Sequence, residues 1–65
     1  MDWHTTGGRE ELLIIMQGQV IVQTRRGRSR RIALAAGRTL FIPPQTAHRV
    51  VNAQRAPARY IYVTG

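Results

Sequence analysis

Apolar residues along this chain come in short bursts, each closed by glycine, proline or a polar cluster. Residues 11–17, ELLIIMQ, are rich in leucine and isoleucine and stop at Gly18. The next run, QVIVQT at 19–24, alternates Val20, Val22 and Thr24 on one side with Gln19, Ile21 and Gln23 on the other. Arg26-Gly27 supplies a turn, where Gly27 can take a positive φ at little cost. RRIAL (30–34) then reads as a return strand, so 19–34 forms a hairpin. TLFI (39–42) is a strand stopped by Pro43-Pro44, AHRVVN (47–52) is the next, and ARYIYV (58–63) is the last. A helix over 10–17 is the rival reading, but it would be two turns long, lack a good N-cap and carry Ile14-Ile15. About six short strands at regular spacing predict an all-β sandwich or barrel.

Length narrows the picture. With 65 residues, the only sensible count is one domain, spanning 1–65. For so short a chain the gain from apolar burial and the cost of ordering are of similar size, so a lone monomer is marginal. There is no cysteine, which excludes disulfides and thiolate metal clusters. Pairing with a second copy, or a metal held by His and carboxylate, are the remaining sources of stability, and a homodimer is expected.

Charge adds a second constraint. All ten basic residues are arginine, against three acids, for a formal charge of +7. Nucleic acid, an anionic surface or an anionic ligand could each use that charge. Most of the arginines are scattered, however, and RRGRSRR (25–31) looks like a hairpin tip. Only four aromatic residues are available for stacking on bases, so a basic nucleic-acid-binding barrel ranks last. No segment is long and apolar enough for a transmembrane helix, and Met1-Asp2 does not open a signal peptide. A cytoplasmic protein with no membrane partner is the expectation. The first residues already read as the approach to a strand, as in a trimmed or short form of a longer domain.

The candidate chemistry rests on three side chains. His48 opens a strand just after the rigid Pro43-Pro44 turn, and a period of two puts Val50 and Asn52 on its side. Glu11 shares a side with Leu13 and Ile15, so it is an acid on a core-facing row. A carboxylate cannot stay charged there without an arginine, a protonated histidine or a metal beside it. His4 lies seven residues earlier, beyond a GGR loop that can fold it back beside Glu11. A locally satisfied His48, a terminal His4 free in solvent and a surface Glu11 are the bland alternatives. Asn52 reads as structural, Trp3, Phe41, Tyr60 and Tyr62 as core or dimer interface, and Arg49 and Arg59 as solvated. An inward Arg49 or Arg59 would suit a carboxylate or phosphate.

At these residues the chain resembles the cupins, small β-barrels of the jelly-roll type. Their second motif is Gly, five residues, Pro, one residue, Gly, two residues, His, three residues, Asn. Here it runs Gly37, RTLFI, Pro43, Pro44, Gln45, TA, His48, RVV, Asn52, departing only at Gln45. That turn position favours positive φ, so a non-glycine residue there costs on the order of 1 kcal/mol. The first motif is His, one residue, His, three or four residues, Glu, six residues, Gly. His4, Glu11 and Gly18 match it, and Thr6 stands where the second histidine would be. The resemblance covers residues 4 to about 63 and implies a minimal jelly-roll barrel of six to eight antiparallel strands. It also implies that His4, Glu11 and His48 converge in the barrel mouth on a divalent iron, manganese, nickel or zinc ion. Two imidazoles and a carboxylate suit such an ion and leave positions open. Activity on a small molecule, dioxygenase- or isomerase-like, follows from the same resemblance. The alternative is a metal-free cupin that binds or senses a small ligand.

Overall fold

The computed structural model describes residues 2–65. Seven antiparallel strands account for the regular structure of these residues, and there is no helix among them. The strands are β1 (His4–Thr5), β2 (Glu11–Gln17), β3 (Gln19–Arg26), β4 (Arg28–Ala35), β5 (Thr39–Ile42), β6 (Ala47–Asn52) and β7 (Arg59–Thr64). They form a four-stranded sheet in the order β1-β6-β3-β4 and a three-stranded sheet in the order β5-β2-β7. It is a small jelly-roll-like β fold.

The rival helix over 10–17 is a strand. Leu13 and Ile15 are buried while Leu12 and Met16 are exposed, which is the period of two that a half-buried strand requires. The hairpin of β3 and β4 is longer than the sequence pattern suggests. Pairing continues to Arg26 opposite Arg28, with Gly27 alone at the tip at φ 77°. The polar composition of RRGRSRR hides this extension, because exposed arginines carry no hydrophobic alternation. A further strand, β1, was not expected as an element, and it pairs His4 with His48 and Thr5 with Ala47.

The core lies between the inner faces of the two sheets. Leu13 and Ile15 from β2 meet Val20 and Val22 from β3, Ile42 from β5 and Val50 from β6. Leu34, Leu40, Ala58, Tyr60 and Tyr62 pack around them, partly buried. Gly18 permits this closure. It sits at φ 82°, and a Cβ there would come within 2.9 Å of the Pro57 carbonyl oxygen. No helix among the described residues is long and apolar enough to cross a membrane.

Candidate functional site

The turn after β5 aims His48. Gln45 takes φ 58°, the conformation that the motif glycine would adopt without strain, and its N–H donates to the Gly7 carbonyl at 2.7 Å. Thr6 binds the same turn. Its hydroxyl donates to the Pro43 carbonyl at 2.8 Å and accepts from the Thr46 N–H at 3.1 Å, and its own N–H donates to the Thr46 carbonyl. Thr6 is buried, so these bonds are shielded from water. Where the resemblance would place a second imidazole, this chain has a latch between its N-terminal segment and the β5–β6 turn. The latch and the β1–β6 pairing tie down His4, which the sequence leaves as a terminal residue free to fray.

Asn52, the last motif position, is structural. Its amide donates to the Ala56 carbonyl at 2.9 Å and its Oδ1 accepts from the Gln54 N–H at 3.1 Å, closing the loop before β7.

Glu11 and His48 meet across the gap between the sheets. His48 Nε2 lies 3.4 Å from Glu11 Oε2, with His48 buried and Glu11 half-buried. His48 Nδ1 lies 3.3 Å from the Thr46 carbonyl oxygen. A carbonyl can only accept, so the contact is a hydrogen bond in the tautomer that carries its proton on Nδ1, whereas the other tautomer donates from Nε2 to Glu11.

His4 belongs to the same inner row. It stands directly opposite His48 in the β1–β6 register, with ring centroids 6.4 Å apart and planes tilted by 34°. Unlike His48 it is exposed. The three sequence-predicted residues thus border one pocket of about 390 Å³, shared with Thr5, Tyr62 and Thr64. Sequence reasoning left out the contribution of β7. The signal was available in its alternation: Tyr60, Tyr62 and Thr64 are spaced two apart, and Tyr62 and Thr64 stand opposite Leu13 and Glu11 in the ladder. The Tyr62 ring lies 5.9 Å from that of His48 and 5.9 Å, edge-on, from that of Tyr60. Burial, together with Tyr60 and the negative charge of Glu11, raises the Tyr62 phenol well above its ordinary value. Tyr62 therefore keeps its O–H throughout the neutral range.

A match along the sequence agrees with this arrangement. Residues 1–64 match the family model of the cupin domain. The chain belongs to the cupin family. This cupin is also similar to a glucose-6-phosphate isomerase from Pyrococcus abyssi (strain GE5 / Orsay), at 29% identity over 63 residues. The similarity takes in 94% of this chain and 33% of that protein, so the cupin spans about a third of its relative's length.

Cupins often bind metals, and the residues here can be tested against that role. Ligand bonds of about 2.1 Å on a tetrahedral ion place neighbouring donor atoms roughly 3.4 Å apart. The Glu11–His48 separation has that length. The set stops at two, however: no group of three or more His, Cys, Asp or Glu side chains among the described residues is close enough to hold an ion. As arranged, with His4 held off to the side, the residues do not make a complete metal site.

Proposed function

We propose that this cupin binds a small carbonyl compound over Glu11 and His48 and moves a proton on it, as an isomerase does. The observation that carries the reading is the 3.4 Å approach of Glu11 Oε2 to His48 Nε2 at the wall of an open pocket. A half-buried carboxylate beside an imidazole is a competent general base. Glu11 would take the proton from a carbon next to a carbonyl and return it to the neighbouring carbon. The hydroxyl proton passes to the former carbonyl oxygen as the double bond shifts, so the carbonyl and hydroxyl positions exchange and no atom is gained or lost. The protonated Tyr62 supplies an O–H at the pocket wall for an oxygen that gains charge in transit. The name of the Pyrococcus relative, glucose-6-phosphate isomerase, supports this class of reaction.

The test is solvent deuterium exchange into small aldoses and ketoses, followed by proton NMR. We expect exchange at the carbon beside the carbonyl, slowed at least about a hundredfold in Glu11→Gln with an unchanged melting temperature. No exchange with any of these compounds, with or without added divalent metal, would leave ligand binding without catalysis as the role.

The Glu11–His48 spacing favours a second reading of the same pocket, in which His4 turns inward and the three residues hold a divalent ion. The ion would supply Lewis-acid polarisation of the bound oxygen. Metal analysis of protein purified without a histidine tag checks it. About one ion per chain, lost in His48→Ala, supports that reading, and a metal-free protein at full stability removes it.

We further infer that two copies pair through the outer face of the three-stranded sheet. Phe41, Leu12 and Val63 form one row across that face, and Ile14 and Ile61 continue it in the next. Phe41, Ile61 and Val63 are half exposed. A chain of charge +7 resists meeting itself, and the centre of this face carries no charge, with Arg59 at its end on β7. A self-complementary twofold contact there buries apolar area while holding the arginine-rich sheet on the far side.

A further inference from the structure

The extended β3–β4 hairpin creates a second concavity, apart from the Glu11–His48 pocket. Arg26, Arg28 and Arg30 line it together with Thr24, Thr46 and Phe41, around a volume of about 270 Å³. No acidic residue lines it. The three arginines share the inner face of the hairpin, since Arg26 pairs with Arg28 and Thr24 with Arg30. Like charges directly opposite each other on a ladder destabilise the pair. All three are exposed, so solvent alone offsets that cost. None of the three guanidinium groups has an ion pair or hydrogen bond among the described residues, and the Thr24 hydroxyl also lacks a partner there.

We propose that this concavity is a binding site for the phosphate group of a small molecule. Guanidinium groups present paired N–H donors in a fork that matches phosphate oxygens, and the bonds are charge-assisted. Three such groups and a threonine hydroxyl meet the needs of a dianion, and Leu40 and Pro43 offer an apolar wall for the carbon skeleton attached to it. A bound dianion also removes the Arg26–Arg28 repulsion, so occupancy stiffens the hairpin tip. The site lies in the same cross-strand row as the catalytic candidates: His4, His48, Thr24 and Arg30 follow one another across β1, β6, β3 and β4. The proposal stands on the arginines and not on the Glu11–His48 reading.

The experiment titrates the full chain with inorganic phosphate and with pyrophosphate at constant ionic strength, held with chloride. Backbone and arginine N–H signals are followed by NMR. Shifts confined to Thr24, Arg26, Arg28, Arg30 and Thr46 are expected. Affinity should fall at least about tenfold in Arg28→Gln and Arg30→Gln, and stay within about twofold in Arg31→Gln, whose side chain is on the opposite face. Circular dichroism checks that each variant folds. Glu11→Gln should bind phosphate as the parent does, so loss of deuterium exchange and loss of phosphate binding report on separate sites. Shifts spread evenly over arginines of both sheets, or equal loss in Arg31→Gln, would overturn the proposal. Binding of a short oligonucleotide in strong preference to pyrophosphate, with shifts centred on Trp3, Arg25 and Arg49, would overturn it too and assign the charge to nucleic acid.

Discussion

The outer faces of the two sheets have the same backbone geometry and opposite chemistry. Across the three-stranded sheet the rows read Phe41–Leu12–Val63 and Thr39–Ile14–Ile61. Across the four-stranded sheet they read Ala47–Arg25–Ser29 and Arg49–Gln23–Arg31. Trp3 lies against the second face, with the Arg25 guanidinium 4.3 Å and the Arg49 guanidinium 5.1 Å from its ring centroid. Arg49 also donates from Nε to Gln23 Oε1. One face thus meets water with charge and stacks its only large aromatic residue under guanidinium groups. The other leaves Phe41 more than half exposed, at 55%. A single core of six buried apolar side chains holds both sheets. The contrast therefore concerns what each face meets, with the apolar one suited to a second copy and the basic one to solvent or an anion.

Placing a charge in the apolar face breaks the comparison most directly. Phe41→Glu should weaken pairing of the copies about a hundredfold, since a central aromatic anchor carries on the order of 2–4 kcal/mol. Sedimentation equilibrium over a range of concentrations measures it. A parent chain that sediments as a monomer throughout would end the pairing proposal, and a pair that survives Phe41→Glu would move the contact elsewhere. Salt gives the next largest effect. Two chains of charge +7 repel over a Debye length of about 30 Å at 0.01 M but only about 8 Å at 0.15 M. Pairing through the apolar face should therefore tighten about tenfold or more across that range. An ion-pair contact would weaken instead.

The inner faces were more legible in the sequence than the outer ones. Val20 and Val22, Leu13 and Ile15, and His48 and Val50 alternate with less buried residues, and each pair is buried as the alternation requires. Glu11 stood out because it breaks such a row. Motif spacing located the turn before His48, and the positive φ at Gln45 follows from that spacing. The latch role of Thr6 was not readable, because its partners at Pro43 and Thr46 are about forty positions away and only the fold joins them. The position of His4 depends on the same latch. The arginine concavity was hidden for another reason: in RRGRSRR, alternate arginines face inward and outward, and identical residues leave no pattern to separate them.

The smallest expected effect sharpens the basic face. Trp3 occupies the outward position that continues the Arg49–Gln23–Arg31 row, one residue before His4. Each guanidinium–ring contact at a partly exposed site contributes about 0.5–1 kcal/mol, and the two share one ring. Trp3→Ala should therefore cost about 1 kcal/mol, which for a domain of this size lowers the melting temperature by about 4–8 °C. Trp3→Phe should recover part of the loss, because the smaller ring keeps a weaker face for Arg25. Arg31→Gln makes the matching control. Arg31 has no ion pair or hydrogen bond among the described residues, so its loss should stay within about 0.5 kcal/mol. Thermal melts followed by circular dichroism distinguish the two, since the only tryptophan is the residue removed. Equal effects from Trp3→Ala and Arg31→Gln would mean that the stack adds nothing beyond general charge, and that His4 is held in place by the Thr6 latch and the β1–β6 pairing without it.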